Sequence, residues 1–530
     1  MTAGHPGRVR SAELIATLSL ATDLALGVPL EHGLRSTLVA GRLCDLLGVD
    51  QETASQAYYL CLLFYVGCTA SVDLDADIFG NDDALTTYAL PTRFGTRPEI
   101  LGGYLRALAP PHRSAVLRVR QLAFGAPRLV RAFPSIVAAV CEVGRMLTDR
   151  LGLPPTVSRL FAFESERWDG KGLPGAAKGP EIPLPVRIVH IARDVAVQEM
   201  LGDGKYVADV IGERSGAAFD PQIAALVTEN ADEVVSVGDE ASPWDAVLAH
   251  EPQPWLMLEG AEIDQALEAM GEFSDVASPY LIGHSAGVAR LVSDAGRLFG
   301  LDRDGLVQVR RAAQVHDLGR VAVPLRIWEK AGALTSNDWE AVRLHAYHSE
   351  RILVRSPFLS DLAPIAGFHH ERLDGSGYHR GSSGPGIEGR ARLLAVADVF
   401  HAMCEPRPHR PPLSTEAASE ALTELASRGL LDPEAVAAVS EVAGHRVHAI
   451  VRPAGLTDRE TEVVRLLVRG LQTKQVARRL GISPKTADRH VQNAYRKMGV
   501  STRAGASLFA MHHGLATWGE LPIPTGSDLS

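Results

Sequence analysis

The chain is poor in cysteine: Cys44, Cys61, Cys68, Cys141 and Cys404 are the only five in 530 residues, and no two form a CxxC pair. That excludes a disulfide framework and a thiolate zinc site, and it reads as buried thiols in a reducing compartment. Long apolar runs are missing too. Leu14 to Leu30 is interrupted by Asp23, and Tyr58 to Val72 spans 15 residues, short of the roughly 20 that a membrane helix needs. The N-terminus lacks a basic segment followed by an apolar one, so export and insertion are not expected, a cytoplasmic location is, and no membrane partner is called for. Alternating apolar and polar residues are scarce throughout, which points to an all-α fold. Lysine is rare as well, with seven in the chain, and Lys474, Lys485 and Lys497 fall close together.

What is present is length and an uneven charge. At 46% hydrophobic residues the chain has enough apolar material for three or four domains. The net charge of -10 argues against a surface that coats nucleic acid. Yet residues 452 to 503 hold twelve Lys or Arg against four acids, a surplus of eight that leaves the remainder at -18. Composition alone separates a basic C-terminal module from an acidic body.

The body contains an internal similarity. SERWDGKG at 165–172 pairs with HERLDGSG at 370–377, RIVHIARDV with RLLAVADVF, and FDPQIAALVTENA with LDPEAVAAVSEVA. The spacings agree: Asp169 to Asp194 is 25 residues and Asp374 to Asp398 is 24, while His32 to Phe64 and His284 to His316 are both 32. Ordered matches at kept spacing indicate duplication. They place one copy at 11–235 and a second at 275–445, with 236–274 as connector. Residues 11–48 and 51–70 read as helical, 72–100 as loop-rich, and 101–153 as helical again. The Gly- and Pro-dense stretches 165–185 and 370–389 read as surface loops.

Copy two gathers His284, His316, Asp317, His345, His369, His370 and Asp398, all N or O donors suited to Fe, Mn, Zn and similar ions. Neighbouring His316 and Asp317 put an imidazole and a carboxylate side by side, so that Asp317 can reach one ion or bridge two. With its HDLGRVAVP, HHERLDGSGYH and VADVFHAM segments, copy two resembles the HD-GYP subgroup of HD-domain metal-dependent phosphohydrolases. That resemblance implies a helical bundle holding two divalent ions, most often Fe or Mn, with Zn, Ni or Mg also compatible, and hydrolysis of a cyclic dinucleotide such as cyclic di-GMP. It implies one ion at His284, His316, Asp317 and Asp398 and another at His345, His369 and His370, with Asp317 bridging. Asp317 and Arg320 are then the catalytic residues, and Arg320, Arg372, Gly375, Gly377 and Tyr378 meet the substrate. Three positions depart from the family pattern: Arg320 replaces a lysine, His379 the proline of the GYP triad, and His401 an acidic residue. In copy one the equivalents of His316 and Asp317 are Phe64 and Tyr65, that of His345 is about Val140, and those of His369 and His370 are Glu164 and Ser165. Only His32 and Asp194 remain, so copy one is expected to be degenerate.

The basic module opens with Thr457 and Glu460 as a capping box. Gly481 breaks a short helix, and Ser483 with Pro484 starts the next, which gives a helix-turn-helix. LTDRETEV, VARRLGISPKT and RKMGVSTR resemble the four-helix LuxR-type DNA-binding domain, here over 452–515. The resemblance places Lys485, Thr486, Arg489, His490 and Asn493 on or near the groove-facing helix, with Lys474 better placed for phosphate. Asp488 stands where that family usually has lysine. The expected whole is tandem HD-domain bundles followed by the helix-turn-helix. Its function is metal-dependent cyclic dinucleotide hydrolysis coupled to transcription, with double-stranded DNA and a second copy of the chain as partners. The alternatives are a non-catalytic metal- and nucleotide-sensing transcription factor and an HD-superfamily phosphomonoesterase or nucleotidase.

Overall fold

The structure is a computed structural model that describes residues 7–71, 78–79, 84–237, 242–444 and 453–516. Of the loop expected at 72–100, residues 72–77 and 80–83 lie outside the described residues, as do boundary positions 445 and 452, and the rest carries short helical turns at Leu85–Ala89 and Leu90–Thr92. The chain divides into two units, one ending at Ile263 and one starting at Asp264. As expected, nearly all regular structure is helical. Among the described residues the sheet is one antiparallel pair, β1 (Arg8–Arg10) with β2 (Met257–Glu259).

In the first unit the stretch 11–48 is two helices, α1 (Ser11–Leu26) and α2 (His32–Leu47), because Gly27 at φ 65 ends the first in the left-handed region. Then α3 (Gln51–Leu63) stops earlier than expected and passes into a 3-10 turn, Val66–Ser71. After α4 (Arg97–Leu108) comes α5 (Ala115–Arg150), 36 residues long despite Pro127 and Pro134 inside it. It is long and apolar enough to cross a membrane by length and composition, and its apolar window is 17% buried, although Arg118, Arg120, Arg128 and Arg131 punctuate the helix. Then α6 (Leu184–Glu199), α7 (Gly204–Arg214) and α8 (Pro221–Glu229) close the bundle.

The stretch 236–274, expected as a connector, is instead shared out between the units. Its helix α9 (Pro243–Ala249) buries Trp244 and Val247, and Tyr58 Oη donates to the Val247 carbonyl at 3.1 Å. Apolar side chains and paired backbone drew this segment into the first core, where Glu251 accepts from Tyr59 at 2.6 Å.

In the second unit α10 (Ala261–Asp275) precedes α11 (His284–Leu298), α12 (Arg303–Val315), α13 (Ser336–Leu353), α14 (Ala363–Gly367), α15 (Gly389–Met403), α16 (Thr415–Ser427) and α17 (Pro433–Gly444). The turn after α12 packs against α13 because Gly319 has no side chain: a Cβ there would lie 2.3 Å from the His345 carbonyl oxygen. The C-terminal module is the expected four helices, α18 (Asp458–Val468), α19 (Thr473–Arg479), α20 (Pro484–Met498) and α21 (Arg503–His512). Both sides of its Thr457–Glu460 capping box are formed, and Ser483 caps α20. Val463, Leu466, Leu467, Leu471, Val476 and Val491 form its core.

Candidate metal centre

The candidate ligands sit at helix ends that converge. His284 is the first residue of α11, whose N-terminus is held by Asp275: its carboxylate accepts from Ser285 N and Oγ, each at 2.9 Å. His316 and Asp317 follow α12, His345 lies in α13, His369 and His370 follow α14, and Asp398 lies in α15. All are buried except His370, which is half-buried.

Asp317 is the centre of the cluster. One oxygen, Oδ2, lies 3.3 Å from both His284 Nε2 and His316 Nε2, and Asp398 Oδ1 is 3.2 Å from the same His284 nitrogen. The other oxygen, Oδ1, lies 3.2 Å from His345 Nε2 and 3.5 Å from His369 Nε2. His370 Nδ1 faces Asp398 Oδ2 at 3.8 Å, and its ring stacks on Tyr378 at 4.2 Å between centroids. Thus all seven predicted ligands are brought together, with His284 and His316 on one oxygen of Asp317, His345 and His369 on the other, and His370 beside Asp398.

Each histidine in the deepest part has its second nitrogen occupied. His316 Nδ1 donates to the Ala313 carbonyl at 2.8 Å, His369 Nδ1 to Ala366 at 2.5 Å, and His345 Nδ1 to Val342. Since a carbonyl only accepts, each of these rings keeps a proton on Nδ1 and turns Nε2 to the cluster, the atom that binds a metal in place of any second proton. The His345 and His369 Nε2 atoms then face each other at 3.2 Å. His284 Nε2, His316 Nε2 and both Asp317 oxygens are buried without a well-formed hydrogen bond. Arg320 meets only the Oδ2 side of this cluster, and so many buried donor atoms turned toward one another are costly unless a further cation sits among them, so the residues fit a divalent metal site.

The charges respond to one another. Burial opposes protonation of His284, but Glu405, Asp317 and Asp398 hold its pKa well above the ordinary histidine value. His316 rises to about 9 against the same burial, through Asp317 and Asp398. Burial pushes His369 down to about 4. Burial would raise Asp317, yet Arg320 and His316 keep it well below the usual carboxylate range.

Arg320 is 7% exposed, ion-pairs with Asp317 Oδ2 at 2.5 Å and lies 5.0 Å above the Trp328 ring, while its Nε and Nη1 are buried without a partner. Arg372 Nη1 donates to the His369 and Glu371 carbonyls at 3.3 and 2.9 Å, bracing its own loop. Gly375, at φ 81, makes the turn; at Gly377 a Cβ would lie 2.5 Å from Glu371 Cα, so the close approach there is to the protein's own backbone. His379 lies beside Glu350 at 3.8 Å, away from the ligand atoms.

One residue went unnoticed in the sequence. Glu405, fully buried, accepts from His284 Nδ1 at 3.0 Å and Arg407 Nη2 at 2.7 Å, and His401 Nδ1 lies 3.0 Å from its other oxygen without a well-formed hydrogen bond. It supplies a carboxylate beside His401, where the family pattern loses one. Only its place four residues after His401, on the turn leaving α15, signalled this.

In the basic module α20 exposes Lys485, Asp488 and Arg489, with Thr486, His490 and Asn493 half-buried and Lys474 exposed on α19.

Residues 273–435 match the HD domain family, and residues 454–510 match the family of bacterial regulatory proteins of the luxR type. The chain joins an HD domain to a LuxR-type regulatory domain. The HD domain with its ligand cluster is a metal-dependent hydrolase centre. Among relatives, the chain is 29% identical over 434 residues to the 3'3'-cGAMP-specific phosphodiesterase 3 of Vibrio cholerae serotype O1, covering 81% of this chain and 94% of that protein. So wide a match takes in much of the first unit. It is 35% identical over 179 residues to a cyclic di-GMP phosphodiesterase of Thermotoga maritima, covering 33% of this chain and 48% of that protein. A crystal structure of a cyclic GMP-AMP-specific phosphodiesterase of V. cholerae superposes with a TM-score of 0.58 at 25% identity, over 83% of this chain and 99% of that one.

Proposed function

We propose that the HD domain hydrolyses a phosphodiester of a cyclic dinucleotide and that the LuxR-type domain ties this activity, or occupancy of the site, to promoter binding. The observation that carries the reading is Asp317, whose two oxygens face separate sets of histidine Nε2 atoms. His284, His316, Asp317 and Asp398 would hold one divalent ion, and Asp317, His345, His369 and His370 a second, with Fe or Mn the expected metals. A pair of such ions supplies Lewis acidity and an activated water at neutral pH. Arg320 keeps Asp317 ionised and offers its unpartnered Nε and Nη1 to a phosphoryl oxygen. Tyr378, stacked on His370, borders the place where a base would lie. Cyclic GMP-AMP is the substrate we favour over cyclic di-GMP, because the cGAMP-specific relative matches over nearly its whole length.

The first unit reads as a degenerate second copy. Asp23 accepts from Gly33 N as Asp275 does from Ser285 N, ten residues on in both. Glu166 and Glu371 hold the two glycine-rich loops by backbone amides, and Trp168 N to Ala218 O mirrors Leu373 N to Leu430 O. A Cβ on Gly172 or Gly377 would meet the same three backbone positions. On the DNA side, Lys485, Thr486, Arg489, His490 and Asn493 would read or flank the major groove and Lys474 would meet phosphate, in a homodimer that spans paired half-sites.

The test is anaerobic purification, metal analysis and hydrolysis of 3'3'-cGAMP and cyclic di-GMP, with Asp317→Ala alongside. Metal-dependent cleavage lost in the variant supports the reading. Bound metal with no turnover favours the sensor alternative, and cleavage of a monoester alone favours the phosphomonoesterase.

A further inference from the structure

The first unit encloses a cavity of about 380 Å³, inside the roughly 300–1,000 Å³ range of small-molecule sites. Its walls are mostly hydrocarbon: Leu26, Leu85, Phe94, Leu129, Phe133 and Val140. Tyr65, Glu164 and Ser165 also line it, and these align with Asp317, His369 and His370 of the metal centre. The metal ligands have been exchanged, and the space they would border is kept.

Charged side chains gather at one part of the lining, where Arg93, Glu164, Glu166, Arg167 and Lys171 border the space, and Arg93 is the one whose guanidinium is set against the aromatic wall. Arg93 ion-pairs through Nη2 with fully buried Glu164 at 2.6 Å and reaches Ser165 Oγ at 3.5 Å. Its Nε and Nη1 make no hydrogen bond among the described residues, and the side chain stays 28% exposed. The same guanidinium lies 5.4 Å from the Phe64 and Tyr65 ring centroids, which fixes its direction. Guanidinium donors among apolar walls are satisfied only by an acceptor brought by an occupant or by water.

We propose that this cavity binds an amphipathic small molecule with a hydrocarbon body of acyl-chain type and one carbonyl or carboxylate head, received by Arg93 Nε and Nη1. The Arg93–Glu164 pair is neutral as a unit, so the head can be a neutral acyl carbonyl as well as a carboxylate. The inference rests on the cavity and on Arg93, and it stands whether or not the HD domain hydrolyses a dinucleotide.

The test uses the full-length, metal-loaded protein and three probes of one chain length: decanoate, methyl decanoate and decyltrimethylammonium. Titration calorimetry should show one molecule of decanoate or methyl decanoate per chain and no binding of the cationic probe, with the two acyl probes separating an anionic head from a neutral one. Arg93→Gln should weaken acyl binding by about tenfold or more. Val140→Trp and Ala89→Phe, which fill the space from two elements, should abolish it while metal content is kept, so the decision does not depend on Arg93→Gln folding. Absence of binding by both acyl probes overturns the proposal. So does equal binding of all three probes that the filling variants leave unchanged, since that is surfactant adsorption.

Discussion

Glu405→Gln removes one charge and little volume from the residue that orients His284. In the structure this carboxylate receives His284 Nδ1 at 3.0 Å and Arg407 Nη2 at 2.7 Å and lies 3.0 Å from His401 Nδ1, with no solvent exposure. A glutamine has one acceptor oxygen for the two donors, and its NH2 would oppose one of them. His284 then loses the partner that fixes its proton on Nδ1 and makes Nε2 a stronger donor to the ion. Loss of such an outer partner typically costs 10–100-fold in metal affinity or activity, about 1.4–2.7 kcal/mol. Competition with a chelator measures the affinity, and turnover of a cyclic dinucleotide at saturating metal measures what remains. The effect should fall on the ion at His284, leaving the ion at His345 and His369 more tightly held. Unchanged affinity at both ions would refute the role given to Glu405, and equal loss at both would show general unfolding of the centre.

Asp317→Ala should abolish binding of both ions, because each of its oxygens faces one histidine set; metal analysis after dialysis reads this. It also strands buried Arg320, which should lower stability by about 3–5 kcal/mol in urea unfolding. In the metal-free protein, His316, held at about 9, contributes stability that is complete below its unfolded value near 6.5 and lost as pH rises through 9, on the order of 3 kcal/mol. Asp23, raised to about 8 by burial, acts in the same direction up to that pH, since the unfolded carboxyl has already ionised. The metal-free thermal midpoint should therefore fall between pH 6.5 and 9, less steeply in Asp23→Asn, while metal affinity rises as ions displace protons; a flat midpoint would contradict both shifts. For the C-terminal domain, Arg489→Ala should weaken promoter binding by about 1–3 kcal/mol and relax selectivity, whereas Lys474→Ala should weaken all sequences alike and lower the salt slope, as read by titration at several salt concentrations.

The metal ligands were legible in the sequence because their chemistry is confined to few residue types, which stand out in apolar segments such as RRAAQVHDLG and LLAVADVF. The helix-turn-helix was legible because its caps are local: Thr457 with Glu460, and Ser483 with Pro484, act over three residues or fewer. What escaped notice depends on distant partners. Glu405 reaches His284 across 121 residues. The β1–β2 pair joins Arg8 to Glu259 through strands of three residues, too short for an alternating pattern to register. The residues that line the cavity each look like ordinary core in the sequence, and only their convergence around Arg93 distinguishes them.

On the proposed reading of the first unit as a degenerate copy, a centre of this kind loses its ions and keeps its fold. His32 keeps the helix-start position of His284, and the residue before each is left-handed, Glu31 at φ 75 and Gly283 at φ 81. Asp194, which aligns with Asp398, is buried and would be costly alone. Arg214 meets it with Nη1 at 2.6 and 2.5 Å from its two oxygens, so a guanidinium carries the compensating positive charge that a divalent ion would bring. Nearby, Phe64 and Tyr65 replace an imidazole and a carboxylate with rings that need no cation, and burial holds His32 at about 3, neutral across the physiological range. On that reading, each position that aligns with a ligand is neutralised in place by a different means. Restoring Asp at Tyr65 alone should therefore lower stability and bind no ion, because the position lacks its imidazoles and faces Phe64 and Arg93; metal uptake by Tyr65→Asp would overturn this account.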